Sequence, residues 1–248
     1  MTTAEHQGFP AIELALKDPD GLLAVGGDLS VTRLVEAYSQ GIFPWYQDDE
    51  PIMWWSPNQR AVIVPDQVHV SRSLKKTLRK NSFRLSINHD FDAVINHCAA
   101  IPRECDGTWI NEEMLEAYKQ LHLNGHAHSF EVWDQEQLIG GLYGVASGKV
   151  FSGESMFHLK TDASKIAFVF TCLHLRKHRY SLLDCQIQND HLASLGVRPI
   201  NRADFKRHLP LYTGISSSAN DDTKRQEDWC QDSLTNSQAL LEKINELT

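Results

Sequence analysis

The sequence predicts a mixed α/β fold, with one large domain and a smaller one at the N-terminus. A chain of 248 residues with 42% hydrophobic content can bury a full core. Strand-like apolar patterns alternate with helical patterns over most of its length. Consecutive strand patterns in the middle of the chain are joined by short turn-forming stretches at 134–137 and 147–148, which indicates hairpins. Hairpins combined with helical crossovers give a mixed sheet.

The chain divides into a small N-terminal α/β domain at 1–62, a larger domain at 63–212 and a polar tail at 213–248. The serine-rich start of the tail predicts disorder, and the apolar spacing at 239–247 allows a terminal helix. No apolar run approaches the ~20 residues that span a bilayer, and residues 1–7 lack the apolar centre of a secretory signal. Five cysteines without a C-x-x-C pair argue against a disulfide framework and a cysteine-based zinc site, which favours the reducing cytoplasm.

The small domain contains a short helix, a short strand and then a well-marked helix at 31–40. Ser30 is a suitable N-cap for this helix, and Gly41 suits the position after its last residue. Leu34 and Tyr38 lie on its apolar face. The first two elements are predicted at 12–17 and 22–25.

An aromatic cluster follows, in a segment that is too irregular for a helix because prolines interrupt it. The rings form either a small core or a stacking platform, on which bases bind at ~1–3 kcal/mol each. The sequence leaves both interpretations open. The members are Phe43, Trp45, Tyr46, Trp54 and Trp55.

A basic amphipathic helix is predicted over 71–80. At about 100° per residue its positive side chains fall within roughly 140° of one face, with Leu74 and Leu78 opposite. Such a face is either simply solvated or bound to phosphates, and its lack of acids is unusual in a chain of net charge −8. That net charge argues against indiscriminate nucleic-acid binding. The positive residues are Arg72, Lys75, Lys76, Arg79 and Lys80.

The order of elements in the larger domain resembles that of acetyltransferase-like N-acyltransferase folds. Those folds hold the pyrophosphate of acyl-CoA on a glycine-rich turn after the third hairpin strand. Here that turn is predicted at 154–162 and contains no glycine, so a CoA cradle is not expected. The predicted elements are strands 61–64 and 83–87, helices 91–99 and 112–123, strands 128–133, 138–146 and 149–153, helix 164–177, strand 181–183, helix 191–195, strand 197–200 and helix 203–208.

A polar run ends the buried strand at 181–183. Because successive strand side chains alternate between faces, Asp184, Gln186 and Gln188 are expected to share one face. Either neighbouring turns satisfy these groups, or they form a general base and its hydrogen-bonding partners at the mouth of a sheet. Cys185 points the other way and is expected to pack in the core rather than act as a nucleophile.

Residues near the third hairpin strand fit the same cleft. Glu154 is either a turn acid or a second carboxylate beside Asp184, suited to hold an ammonium group. Leu142, Phe151 and Met156 fit a core as well as a ligand pocket. The sequence alone does not choose between these alternatives.

Several sequence blocks in one order resemble the leucyl/phenylalanyl-tRNA–protein transferases, from about residue 9 to residue 209. Each block alone is weak, and together they are highly specific. The segment after residue 211 does not resemble the family. The blocks are DGLLAVGGDL at 20–29, GIFPW at 41–45, WWSP at 54–57, GTWI at 107–110, GHAHS at 125–129, GESMF at 153–157 and DCQ at 184–186.

The resemblance implies roles for individual residues. Asp184 and Gln186 are expected to be the catalytic pair, with Glu154 beside them near the acceptor. Position 142 is Leu where Met is expected, and position 46 is Tyr where Phe is also expected, which affects only pocket detail. Trp45 and Trp109 are expected to stack on the terminal adenosine. The aminoacyl pocket is expected to be lined by Leu142, Phe151 and Met156. Tyr38 and Tyr118 complete the expected set of substrate-binding residues.

The implied reaction moves Leu or Phe, with Met as a permitted third, from aminoacyl-tRNA to the N-terminal amine of proteins beginning with Arg or Lys, marking them for degradation. The tRNA ester is already activated, so no cofactor is expected. Asp184 accepts the amine proton directly or through Gln186, or the terminal ribose hydroxyl carries it while Asp184 acts electrostatically. His126 and His128 lack a third ligand, so no metal site is predicted. We expect a monomer with no membrane association.

Two rival functions remain at the level of sequence. One is an acyl-CoA-dependent N-acetyltransferase, which tight CoA binding would reveal. The other is a catalytically silent RNA-binding module, which transfer from charged tRNA to an Arg-led peptide would exclude.

Overall fold

The computed structural model describes residues 8–100, 110–210, 229 and 235–247. Within these residues the strands form a three-stranded and a seven-stranded sheet, in the orders β1-β3-β2 and β10-β4-β9-β8-β7-β6-β5. This is a mixed α/β architecture, as predicted. The strands are β1 Leu22–Val25, β2 Phe43–Pro44, β3 Met53–Trp55, β4 Gln59–Ile63, β5 Arg84–Ile87, β6 Ala127–Asp134, β7 Gln137–Ser147, β8 Val150–His158, β9 Leu182–Gln186 and β10 Arg198–Asn201.

The helices begin where the sequence places capping residues. Ser30, Ser71 and Asn111 each accept a hydrogen bond from a backbone N–H in the first turn of the helix that follows. Gly41 has a φ of 77° just after the first helix, which explains a glycine there. The helices are α1 Val31–Ser39, α2 Arg72–Lys80, α3 Phe91–Ala100, α4 Glu112–Leu123, α5 Ala163–Lys177, α6 Asp190–Ser194, α7 Arg202–Lys206 and α8 Ser237–Asn245, with short 3₁₀ turns at Ile12–Leu14 and Pro65–Gln67.

The small sheet packs its aromatic residues in two ways. Phe43, Tyr46 and Trp54 are buried, and the Trp54 indole N–H donates to the carbonyl of Gly26 at 2.8 Å. Trp45 is 42% exposed and meets Trp55 edge-on at 5.8 Å. The cluster is therefore mainly a core, with one indole left on the surface.

The large sheet is antiparallel except between β8 and β9, which run parallel over Val150–Ser152 and Leu182–Asp184. Helix α5 covers one face, where its apolar side chains join the largest core cluster. The predicted domain boundary at residue 62 lies within β4, which pairs with β9 and β10 in this sheet.

The third hairpin strand is longer than predicted. β8 continues to His158, so Glu154 and Met156 lie on a strand rather than in a turn. The actual turn, 159–162, also lacks glycine. The longer strand follows from the pairing of β8 with β7, which continues up to Gly140 and His158.

The C-terminal part attaches to the edge of the large sheet. The backbone N–H of Leu85 donates to the carbonyl of Thr235, and α8 buries Leu240 and Ile244 in the core cluster that also holds Leu78 of α2. The predicted disorder lies mostly outside the described residues. No described helix has the length and apolar character required to cross a membrane.

Candidate active site

Asp184 and Arg60 form an ion pair in the interior of the large sheet. Arg60 Nε lies 2.8 Å from Asp184 Oδ1, and Nη2 lies 2.7 Å from Oδ2, so the contact is bidentate. The side chains are 1% and 0% exposed. A buried pair is tolerated only when its remaining polar atoms are also bonded.

The surroundings of the pair meet that requirement. The backbone N–H of Gln186 donates to Asp184 Oδ1 at 2.9 Å, and the Ser152 hydroxyl donates to Oδ2 at 3.2 Å. Arg60 Nη1 donates to the carbonyl of Gly41 at 3.2 Å. The guanidinium also lies 4.7 Å from the ring centres of Phe43 and Phe205. The carboxylate of Asp184 is thus fully engaged and fixes the end of β9.

A second chain of hydrogen bonds begins at Gln186. Its amide Nε2 donates to Glu154 Oε1 at 2.7 Å, and Tyr118 donates its hydroxyl to Oε2 at 3.0 Å. The Tyr118 and Tyr38 hydroxyl oxygens are 2.5 Å apart. The structure therefore brings together Asp184, Gln186, Glu154, Tyr118 and Tyr38.

Local backbone irregularities set the directions of the Glu154 and Gln186 side chains. Tyr143 pairs with Ser155 and Gly144 with Gly153, so Glu154 is the extra residue of a bulge in β8. Gln186 has a φ of 61°, which ends the regular alternation of β9. Since β8 and β9 pair only as far as Ser152 and Asp184, the Glu154–Gln186 hydrogen bond crosses the gap beyond.

Glu154 has the chemistry of a group that titrates near neutrality. Burial raises the pKa of its carboxyl to about 7, against the lowering effect of the Tyr38 and Tyr118 hydroxyls, and nearby Asp184 adds to the rise. Burial also raises the pKa of each tyrosine well above its usual value, so both stay protonated donors. A carboxyl with this pKa is matched to exchange a proton with an amine.

Two expectations about the polar run have different outcomes. Gln188 does not share the face of Asp184 and Gln186, because β9 ends at Gln186; its amide instead donates to the carbonyl of Val197 at 3.1 Å. Cys185 packs against the main core cluster, and burial raises the pKa of its thiol well above the usual value. A thiol of this kind is a packing group, as expected.

The predicted pocket residues lie on one face of the large sheet. Phe130 pairs with Leu142 across β6 and β7, and Leu142 pairs with Met156 across β7 and β8. Phe151 is fully buried on the same face, and its ring covers Gly144, where an added Cβ would lie 2.7 Å from a ring carbon. These side chains form an apolar layer under α5.

Only one of the two tryptophans predicted to stack on adenosine lies within the described residues. Trp45 offers an exposed ring on the small sheet, while Trp109 lies outside the described residues.

The basic helix α2 has the predicted amphipathic form. Leu74 and Leu78 are each 1% exposed and pack into the core. Among the described residues, its basic side chains form no ion pair with a carboxylate. Arg72, Lys76, Arg79 and Lys80 are exposed, and Lys75 is half-buried.

The sequence analysis did not single out Arg60, which lies just before the predicted domain boundary at residue 62. An arginine directly before an apolar strand was the one available signal, since no spacing rule links it to a carboxylate 124 residues later.

His128 is buried and contacts Asn88 at 3.0 Å. No group of His, Cys, Asp and Glu in the described residues is arranged to hold a metal ion.

The sequence was compared with protein-family models and with known proteins, and the matches cover most of the chain. A family model described as leucyl/phenylalanyl-tRNA protein transferase matches residues 62–210, and one described as its N-terminal domain matches residues 27–58. The protein named leucyl/phenylalanyl-tRNA–protein transferase in Shewanella sp. (strain ANA-3) is 55% identical over 208 residues, or 84% of this chain and 88% of its own. A namesake in Pseudomonas aeruginosa (strain UCBPP-PA14) is 54% identical over 204 residues, or 82% of this chain and 90% of its own.

One solved structure is a more distant match. The structure of L-PGS from Bacillus licheniformis aligns with a TM-score of 0.39 at 10% sequence identity. The alignment covers 72% of this chain and 61% of that one.

Proposed function

Because this chain belongs to the leucyl/phenylalanyl-tRNA protein transferase family, we propose that it transfers an amino acid from aminoacyl-tRNA to a protein. The amino acid is Leu or Phe, and Met less readily. The acceptor is the N-terminal α-amine of proteins beginning with Arg or Lys. The observation that carries the proposal is the hydrogen bond between Glu154 and Gln186 across the gap between β8 and β9. It joins a carboxyl that titrates near pH 7 to an amide oriented by a buried ion pair.

The reaction is an aminolysis. The α-amine of the acceptor attacks the ester carbonyl, a C–N bond forms, and the bond from that carbonyl to the terminal ribose oxygen breaks. The amine loses a proton and the ribose oxygen gains one, so no cofactor takes part. An α-amine with a pKa of about 7.7–8.0 is partly neutral at physiological pH, and holding both substrates together supplies much of the acceleration.

The geometry favours a positioning role for Asp184. Its two oxygens already accept from Arg60, Gln186 and Ser152, so it is poorly placed to take a proton from substrate. Gln186 donates its Nε2 hydrogen to Glu154, and its amide oxygen then faces the amine as an acceptor. Glu154 is the group that binds the ammonium form or receives its proton. The terminal ribose hydroxyl remains the alternative carrier.

The remaining assignments are proposals of the same kind. Leu142, Phe151 and Met156 are proposed to receive the aminoacyl side chain, and Trp45 the terminal adenosine with Trp109. The basic side chains of α2 are proposed to bind tRNA phosphates without reading sequence. The product is proposed to be marked for degradation in the cytoplasm, and the large domain to be acetyltransferase-like, which the parallel β8–β9 pair within a hairpin sheet supports.

The decisive experiment is transfer of labelled leucine from charged tRNA to a peptide beginning with Arg. Asp184→Ala is expected to lower kcat by about a hundredfold or more, because Gln186 loses the carboxylate that positions it and a misplaced catalytic group costs roughly 10²-fold. Asp190→Ala, which removes an exposed acid six residues further on, is the matched control and should leave kcat unchanged. Absence of transfer by the wild-type protein, or normal kcat in Asp184→Ala with both substrates bound, would refute the proposal.

A further inference from the structure

Trp229 is a buried residue that the proposed reaction leaves unexplained. It is 5% exposed and lies under the large sheet among other rings. Its indole stacks on His128 at 3.8 Å with an angle of 4° between planes, and it meets Phe151 at 5.3 Å and 34°. Further rings around it are Phe130 at 6.0 Å, His174 at 5.0 Å and Tyr180 at 5.8 Å.

The surroundings hold the indole in one position. Asn88 donates from Nδ2 toward the Trp229 carbonyl at 3.5 Å and contacts His128 Nδ1 at 3.0 Å. Burial lowers the pKa of His128 well below its usual value, so its neutral ring stacks as an apolar surface. Six residues later, the backbone carbonyl of Thr235 accepts a hydrogen bond from the N–H of Leu85 in β5, and α8 follows.

Trp229 belongs to the part of the chain beyond the family model, which ends at residue 210. Trp229 nevertheless contacts the face of the sheet that carries the proposed aminoacyl pocket. Phe151 and Phe130, which contact Trp229, lie on the same face as Leu142 and Met156.

We propose that Trp229 sets the depth of the aminoacyl pocket by packing against the Phe151 ring and fixing its position. It is a positioning residue, because it acts through Phe151 rather than by touching the substrate. The inference rests on the proposed function, which assigns Phe151 to that pocket. It gives the C-terminal segment a role in choosing between Leu and Phe.

Shortening the indole gives Phe151 room to retreat. Trp229→Leu vacates volume beside the Phe151 ring, so the pocket lengthens. The larger phenylalanyl group then fits better, and kcat/KM for Phe-tRNA rises relative to that for Leu-tRNA. The ratio of kcat/KM for Phe-tRNA to that for Leu-tRNA is expected to rise by about tenfold, the lower end of what one methylene is worth in an apolar pocket. Trp229→Phe, which keeps a smaller ring, should raise the ratio less.

The test measures both kcat/KM values with a peptide beginning with Arg, for the wild-type protein and each variant. Trp133→Leu is the matched control, because Trp133 is a buried indole, 7% exposed, whose N–H is bonded to Ser86 outside the proposed pocket. It should lower stability without changing the ratio. Far-UV circular dichroism and thermal melting establish that each variant is folded.

The outcomes separate the two proposals. If the wild-type protein transfers neither amino acid, the proposed function fails. If it transfers both, and folded Trp229→Leu and Trp229→Phe keep the wild-type ratio, the role of Trp229 is overturned. A ratio that moves equally in Trp133→Leu also overturns it, because the effect would then reflect general loosening of the fold.

Discussion

Glu154 links the site to a measurable property of the isolated protein. Its carboxyl sits on a bulge between Gln186 and Tyr118, and burial raises its pKa from 4.5 to about 7. The folded protein therefore holds this proton more tightly than the unfolded chain. Stability from this group is fully present below pH 4.5 and is lost as pH rises toward and through 7.

Replacing Glu154 with Gln should remove this pH dependence. The rise in pKa corresponds to roughly 3 kcal/mol. The free energy of unfolding of the wild-type protein should therefore fall by about that amount between pH 4.5 and pH 7.5, and that of the variant should not. Urea unfolding at a series of pH values measures it. Glu116→Gln, which alters an exposed side chain on α4, should follow the wild-type curve. Parallel curves for Glu154→Gln and wild type would contradict the assignment.

Arg60 is the residue on which the geometry of Asp184 depends. Arg60→Ala leaves a buried carboxylate without its bidentate partner, which should lower the free energy of unfolding by about 3–5 kcal/mol. Lys206→Ala breaks a pair with Glu13 in which both side chains are more than half exposed, and it should cost no more than about 1 kcal/mol. Chemical denaturation compares the two. Equal losses would show that the buried pair has no special role.

At the scale of residues, the sequence drew attention to polar groups in unexpected places and gave no sign of contacts between distant strands. Asp184 and Gln186 stood out because polar groups at the end of a core strand need partners. Gln188 was misplaced because the positive φ of Gln186 ends the alternation. Arg60 was missed because only the antiparallel pairing of β4 with β9 brings it to Asp184.

At the scale of elements, caps and periodicity were the reliable signals. The helix predicted over 112–123 has those bounds in the structure, and its N-cap is Asn111. β8 was predicted too short, because cross-strand pairing with β7 extends it through a polar stretch that local pattern assigns to a turn. Local sequence determines where a helix starts, but the length of a strand depends on its neighbour.

The basic face of α2 should make tRNA binding depend on salt. Changing Arg72, Lys75 and Arg79 to Glu should raise KM for aminoacyl-tRNA and flatten the plot of log binding constant against log salt concentration. Each phosphate that the variant no longer neutralises should reduce the steepness of that plot by roughly 0.7–0.9. The measurement is a salt titration of tRNA binding.

A charge-matched control separates this face from overall charge. Arg176, Lys177 and Arg179 are also exposed, at the end of α5, and changing them to Glu alters the net charge equally. That variant should keep a steeper slope than the α2 variant. Identical slopes would remove α2 from the tRNA-binding surface and leave only a long-range electrostatic effect.

At the scale of the whole molecule, the small sheet and the large sheet share an apolar cluster that is distinct from the one under α5. It contains Leu34 of α1 and Trp54 of β3 together with Tyr118 of α4 and Tyr143 of β7. The Tyr38–Tyr118 hydroxyl contact and the hydrogen bond from Arg60 to Gly41 also cross between them. The candidate site therefore depends on both parts, and neither sheet is expected to be stable without the other.

This shared core predicts that the small sheet opens only when the whole protein unfolds. Amides of β1 and β3 should exchange with solvent deuterium at free energies close to those of β6 and β7, and their values should merge as denaturant is added. Helix α8, whose outward side is exposed, should open at lower free energy and serves as the internal reference. Mass spectrometry of peptic fragments measures all three. If β1 and β3 exchanged as readily as α8, the small sheet would be an independent unit, and the link from Gly41 through Arg60 to Asp184 would not hold the site together.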